Sequence, residues 1–322
     1  MDFLNGYLGE IEAELHAIAL PGGPANLYDP FRYMLSLGGK RIRPALTLMG
    51  HTLYNTDHKK AMPAALCVEL FHNFSLIHDD IMDKAPLRRG KATVHTRWNE
   101  TIGILSGDVM LVNTYKMLTE NYTGDVLVRL LKVYNNTAIE VCEGQQMDMD
   151  FESRNNVSVE EYEQMISLKT SVLLGCALKM GAITGGANEN DANHLYEFGK
   201  NIGIAFQLRD DYLDAFGDPV KTGKQPGGDI LAGKKTFLMI ECNTLANNGD
   251  KEKLGQLLND KSSEKVKSTL DLFKKYKVDE LTQKEVARFQ HLAMDHLAKV
   301  SVGDEKKKPL VGLANYLLNR EH

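Results

Sequence analysis

The sequence predicts an all-α protein. Helical spacing of apolar residues recurs along nearly the whole chain, and no stretch sustains the period-two alternation that strands require. The nine prolines also fall between or at the start of the periodic segments, where a missing N–H is tolerated. Helices are expected at 3–19, 28–37, 44–53, 61–82, 93–118, 124–152, 158–184, 189–215, 234–247, 264–299 and 309–319. Pro21 and Pro24 separate the first two, and Pro30 stands at the start of the second. Gly38-Gly39 closes that helix, while Pro44 and Pro63 open the next two. Pro86 divides 61–82 from 93–118, Pro219 and Pro226 divide 189–215 from 234–247, and Pro309 opens the last helix. The remaining segments rest on apolar periodicity, and the polar stretch 247–265 is expected to be an exposed, mobile connection.

With 322 residues and 43% hydrophobic content, the chain can bury a large core, and it reads as one domain over 1–322. A net charge of −5 and a pI near 6.1 argue against nucleic acid or an anionic membrane as a bulk partner. No segment approaches about 18 uninterrupted apolar residues, and the N-terminus is acidic where a signal peptide is basic. The expectation is a cytoplasmic protein without a membrane span. Cys67, Cys142, Cys176 and Cys242 are far apart, show no C-x-x-C pairing, and read as reduced core residues.

Chemistry concentrates in 69–97, where Asp79, Asp80 and Asp83 close an apolar helix and a basic, glycine-broken loop follows. Asp79 and Asp83 stand one helical turn apart and Asp80 flanks Asp83 at i,i+3, so three carboxylates crowd one helix end. That end carries the negative pole of the macrodipole, which adds roughly 0.3–1 kcal/mol per charge to their repulsion. A divalent cation reverses the sign. The pattern FSLIHDDIMD (74–83) returns as AFQLRDDYLD (205–214), again followed by a glycine-containing basic segment. Two carboxylate sets, each beside a cationic loop, suit magnesium, which takes a few carboxylates and fills its shell with water and phosphate oxygens. Arg88, Arg89, Lys224, Lys234 and Lys235 then neutralise the phosphate charge. The run GGKRIRP (38–44) holds a second, metal-free phosphate group or is a solvated loop; the residues alone leave both open.

GGKRIRP (38–44), HNFSLIHDDIMD (72–83), RRGKATVH (88–95), GQQMDM (144–149), LKT (168–170), FQLRDDYLD (206–214) and GKQPGGDILAGKKT (223–236) together resemble the trans-isoprenyl diphosphate synthases. The resemblance runs in the family's order and spacing over about 30–240. It implies a single all-α domain of the isoprenoid synthase type around a deep central cavity, a homodimer, and usually three Mg2+ per site. By resemblance Asp79, Asp80, Asp83, Asp210 and Asp211 hold magnesium against an allylic diphosphate, with Asp214 in support. Arg88, Lys169, Lys224 and Lys234 contact that diphosphate, and Lys40, Arg43, His72 and Arg89 match the isopentenyl diphosphate positions. His72, read without the motif, is rather a hydrogen-bonded core histidine. Thr170 and Gln207 match residues lining the carbocation and are, with Lys169, the expected catalytic residues, and Gln145 and Asp148 match a segment facing the cavity. Lys84-Ala85-Pro86 departs from the acidic or small polar residues common after the first motif.

The reaction implied is ionisation of an allylic diphosphate followed by attack of the isopentenyl diphosphate double bond, with released diphosphate as proton acceptor. A mid-helix Thr170 whose hydroxyl bonds back to the preceding turn would loosen the helix and turn a carbonyl towards the cation. A terpene cyclase has no use for a second phosphate site, a di-iron protein needs a second Glu-x-x-His besides Glu69 and His72, and a non-catalytic subunit is expected to have lost aspartates. In the family the residues four and five before the first aspartate set the cavity floor; here they are Ser75 and Phe74. Their sizes point to a C20 product first and C15 second, with a longer polyprenyl product as the alternative.

Overall fold

The computed structural model describes residues 2–154, 156–218, 227–260 and 264–319. Its described backbone is helical throughout except for one two-residue hairpin and the connecting loops, so the all-α expectation holds. The chain divides into two compact units, Met1–Asn135 with Cys176–Asn193, and Asn136–Gly175 with His194–His322.

The first unit contains α1 (Asp2–Ala17), α2 (Ala25–Ser36), α3 (Ile42–Thr52), α4 (Met62–Met82), a hairpin of β1 (Leu87–Arg88) and β2 (Lys91–Ala92), α5 (Val94–Arg97) and α6 (Glu100–Asn121). It also takes the start of α7 (Gly124–Ser153), the end of α9 (Val172–Gly185) and the start of α10 (Glu189–Phe216). The apolar run of α4 is buried almost all round, with Ala64, Ala65, Cys67, Val68 and Leu70 at 0% exposure, because it packs chiefly on α6 and α3. Gly107 on α6 makes that packing possible beside the aspartates: a Cβ there would lie 2.6 Å from Cδ2 of His78. At the crossing of α3 and α9, a Cβ on Gly50 would meet Leu178 O at 2.5 Å, and one on Gly181 would meet the Thr47 carbonyl carbon at 2.9 Å. The two backbones touch directly there.

The second unit holds the rest of α7, α8 (Val159–Ile166), a π turn over Ser167–Ser171, the start of α9 and most of α10. It continues with α11 (Gly228–Ala232), α12 (Phe237–Leu245), α13 (Asn248–Asn259), α14 (Glu264–Lys275), α15 (Val278–Ala298) and α16 (Asp304–Asn319). Its C-terminal core gathers Ala215, Ile230, Leu238, Met239, Cys242, Leu254, Leu272, Phe273 and Val278.

Several boundaries differ from expectation for identifiable reasons. The expected helix 93–118 breaks into α5 and α6 because the Asn99 side chain caps the second, accepting from Ile102 N at 2.8 Å. The 264–299 segment divides at Lys277, whose φ of 56° cannot continue a right-handed helix. The stretch 247–265 is not a loop over most of its length: Asn247 accepts from Asp250 N at 2.9 Å and starts α13. Pro30 and Pro309 lie inside α2 and α16, not at their starts. Cys142 is exposed on α7, unlike the buried Cys67, Cys176 and Cys242. The run 159–185 is apolar and long enough to cross a membrane, but 78% of its most apolar window is buried within the protein, as in a core helix.

Candidate active site

In the first unit the aspartate motif closes α4 as the sequence predicts. Asp79 and Asp80 occupy the last turn, and Asp83 is the C-cap, its N–H donating to Asp79 O at 2.8 Å. Asp80 is 2% exposed and paired with Arg88, whose Nε lies 2.8 and 3.0 Å from its two carboxylate oxygens. Arg88 reaches it from the hairpin, where Leu87 faces Ala92 and Arg88 faces Lys91. The two residues between the strands, Arg89 and Gly90, both take positive φ (52° and 74°). This is the left-handed pair that a tight two-residue hairpin needs, and it forces the non-glycine Arg89 into a disfavoured region. Thr93 Oγ1 anchors the connection by donating to Ala85 O at 2.8 Å, and Ala85 N donates to Asp80 O at 2.9 Å.

The GGKRIRP run sorts its cations by face. Arg41, also at positive φ (47°), is 3% exposed and turns inward to Glu12 (2.8 Å) and Glu69 (2.5 Å). Glu69 further accepts from Asn73 Nδ2 at 3.0 Å. This buried ion pair is structural; the alternation of apolar and basic residues in the run did not reveal it. Arg43 turns the other way, with Nη1 3.3 Å from His72 Nε2, and among the described residues its buried Nε has no hydrogen-bond partner. Arg89 donates to Gly38 O and stacks so close to Gly39 that a Cβ there would lie 3.0 Å from Nη2. Burial, then Arg43, Arg89, Arg88 and Arg41, push His72 well below the ordinary histidine range. His72 is therefore a neutral ring in a strongly cationic pocket. Lys40 stands exposed at the same loop. Arg43, His72 and Arg89, three of the residues expected to bind a metal-free diphosphate, thus come together in this unit, with Lys40 in the adjoining loop.

The second unit carries the second motif on α10. Asp211 is 4% exposed; Tyr162 OH donates to one carboxylate oxygen and Gln207 Nε2 to the other at 3.3 Å. Burial, reinforced by Asp229 and Asp210, pushes its pKa up to about 7, although both donors work against the shift. Asp214 accepts from Asp229 N at 2.9 Å through Oδ2, tying α10 to the start of α11. Gly228 makes room for it, since a Cβ there would stand 3.0 Å from Asp214 Oδ1. Lys234 pairs with Asp229 at 3.1 Å. Lys235, expected beside phosphate, instead donates to Phe151 O and caps the end of α7. Lys224 lies outside the described residues. Tyr162 and Asp229 went unrecognised in the sequence; Asp229 sits within the quoted glycine-rich run, while Tyr162 carries no local signal.

Lys169 and Thr170 sit in the π turn, where Val172 N bonds back to Ser167 O. The expected loosening is present, but the back-bonding hydroxyl is Ser171, whose Oγ donates to Ile166 O at 3.1 Å. Lys169 Nζ meets Asp148 Oδ2 at 2.6 Å. Gln145, one turn before Asp148 on α7, has a buried amide nitrogen without a partner among the described residues.

A family model described as polyprenyl synthetase matches residues 24–275. The chain belongs to the polyprenyl synthetase family. It is 34% identical to the short chain isoprenyl diphosphate synthase of Methanothermobacter thermautotrophicus, over 100% of this chain and 99% of that one. The geranylgeranyl diphosphate synthase of Sulfolobus acidocaldarius is 33% identical, with 99% of each chain covered. A crystal structure of a geranylgeranyl pyrophosphate synthase superposes with a TM-score of 0.90 at 43% identity, covering 100% of this chain and 98% of that one.

The polyprenyl synthetase reading implies magnesium, and the donor chemistry fits it. Among the described residues no three His, Cys, Asp or Glu side chains converge as a self-sufficient metal cage. Asp211, however, is a buried carboxylate under pressure from Asp210 and Asp229, the electrostatic setting that a hard cation relieves. Beneath the first motif, Phe74 stacks edge-on against His78 (4.8 Å) and packs on Phe71 (5.6 Å), which meets Tyr134 at 5.5 Å. Ser75 Oγ bonds to His72 O at 2.9 Å.

Proposed function

We propose that this chain is a short-chain trans-prenyltransferase that condenses an allylic diphosphate with isopentenyl diphosphate to give a C20 product. The supporting observation is the pocket of Arg43, Arg89 and neutral His72, which holds a buried arginine Nε without an acceptor among the described residues and draws its compensation from Glu69 and Glu12 on the far side of Arg41. A bare diphosphate supplies the missing acceptors; an enzyme that only ionises one allylic substrate has no use for them.

Magnesium, when bound, adds positive charge to the departing diphosphate oxygens and so favours C–O ionisation. In the first unit Asp79, Asp80 and Asp83 are the carboxylates for it, and Arg88 is the cation that turns from Asp80 to a phosphate oxygen. In the second unit Asp210 and Asp211 are the carboxylates, Asp214 orders the loop behind them, and Lys169 and Lys234 face phosphate. Thr170 and Gln207 offer neutral dipoles to the allylic cation. Lys40, Arg43 and Arg89 hold isopentenyl diphosphate with His72 as an uncharged hydrogen-bonding neighbour. We read 1–322 as one catalytic domain. We further read the enzyme as a cytoplasmic homodimer, with the exposed Ile104, Leu105, Val112 and Tyr115 of α6 offering an apolar face.

The test is diphosphate release from an allylic diphosphate plus isopentenyl diphosphate, with and without Mg2+. Release that needs both substrates and the metal supports the reading, while release without isopentenyl diphosphate, or none at all, overturns it.

A further inference from the structure

Resting on that reading, we infer that Gly144 and Gly203 are positioning residues: together they clamp the π turn from two helices and so set where Lys169 and Thr170 point. Gly144 lies on α7 within GQQMD, and a Cβ built there would stand 2.7 Å from both Leu168 C and Lys169 Cα. Gly203 lies on α10, two turns before Asp211, and its Cβ would stand 2.7 Å from Ser171 Cβ and 2.8 Å from Ser171 Cα. Real side chains do not approach backbone that closely, so both helices press bare backbone against the widened turn.

The turn needs such support. A π turn replaces i→i−4 bonds with wider ones; it is rare and frequently found at functional sites. Here the wide bond runs from Val172 N to Ser167 O, and Ser171 Oγ donates to Ile166 O to brace the same stretch. Helix α7 grips Lys169 twice: Gly144 meets its backbone, and Asp148, one turn on, takes its ammonium at 2.6 Å. The spacing of glycine and aspartate in GQQMD is therefore a cradle matched to one residue's main chain and side chain. Helix α10 closes the other side with Gly203 and, one turn later, presents Gln207 to Asp211. Pushing either helix away would rotate Lys169 and Thr170 while leaving the cationic pocket on α3, α4 and the hairpin untouched.

The experiment compares Gly144→Ala, Gly203→Ala and Ser171→Ala with Gly9→Ala, a helical glycine whose Cβ has nothing within 4 Å. Each is measured for kcat, for the KM of isopentenyl diphosphate, and for hydrogen exchange of the 167–172 amides. The two clamp variants should lose about 100-fold in kcat, the scale of an ångström-sized misplacement, with isopentenyl diphosphate KM held within about threefold and faster exchange in the turn. Gly9→Ala should match wild type. If a clamp variant fails to fold, Ser171→Ala decides, because it adds no volume: it should lose about tenfold in kcat with the same KM and exchange pattern. Unchanged kcat in the folded clamp variants, or in Ser171→Ala where they do not fold, overturns the inference. So does an isopentenyl diphosphate KM that rises in step with the loss of kcat. An inactive wild type would overturn the prenyltransferase reading instead.

Discussion

Arg88 and Asp80 hold each other in a bidentate ion pair: the guanidinium Nε and Nη2 lie within 2.7–3.0 Å of the carboxylate, whose residue is 2% exposed while the arginine side chain keeps 26%. The cation expected to meet phosphate and the anion expected to meet magnesium neutralise each other, so binding as proposed requires this pair to open.

That asymmetry of burial sets a stability order. Arg88→Ala strands a buried carboxylate and should destabilise the protein by about 2–3 kcal/mol, less than a fully buried pair because Arg88 is partly exposed. Asp80→Asn should be milder, since the freed arginine reaches water. Millimolar Mg2+ should restore more Tm to Arg88→Ala than it adds to wild type, and equal Tm shifts in calorimetry would refute that opening.

The metal assignment is tested by turnover. Asp80→Ala and Asp211→Ala should each lower kcat by several orders of magnitude with helical circular dichroism largely unchanged. Near-normal activity in either would remove that carboxylate from the site.

Asp211 also predicts a pH dependence. Its folded pKa of about 7 lies above the ordinary carboxylate value, so between the two the folded state binds more protons than the unfolded one and stability falls as pH rises. In metal-free buffer, Asp211→Asn should raise Tm at pH 8 and lose that advantage towards pH 4, at about 1.4 kcal/mol per pH unit across the window. A pH-independent difference would mean that Asp211 is not strained.

Arg43→Ala should raise the KM for isopentenyl diphosphate far more than that for the allylic substrate, because Arg43 offers, beside His72, an Nε with no partner among the described residues. The reverse ratio in steady-state kinetics would exchange the two sites.

Phe74→Ala should lengthen the product by one or more five-carbon units. The ring it removes is held between His78 and Phe71, with Tyr134 behind, so the new space is bounded and not open-ended. An unchanged profile of dephosphorylated alcohols would place the floor elsewhere.

What was legible in the sequence was whatever repeats or is contiguous. The two aspartate motifs, the basic loop after the first and the long apolar helices follow from local pattern, and each aspartate lies on the helix end expected. What escaped depends on partners distant in sequence. Tyr162 reads as an ordinary amphipathic position until α10 brings Asp211 to it. Arg41 and Arg43 look equivalent until Glu12 and Glu69 claim the first. α13 hid in a polar stretch because it buries little beyond Leu254 and needs a cap more than an apolar stripe to form.

The bare crossing of α3 and α9 bears on how the chain is made. Thr47 and Gly181 belong to one compact unit, yet that unit is interrupted between Asn135 and Cys176. During synthesis α3 emerges early, and its close-fitting face waits for Gly181 while the ribosome adds about 130 residues, which at about 5–20 residues per second takes roughly 6–26 seconds. A chain halted before Gly181 therefore leaves the Thr47–Gly50 backbone without the helix that packs on it.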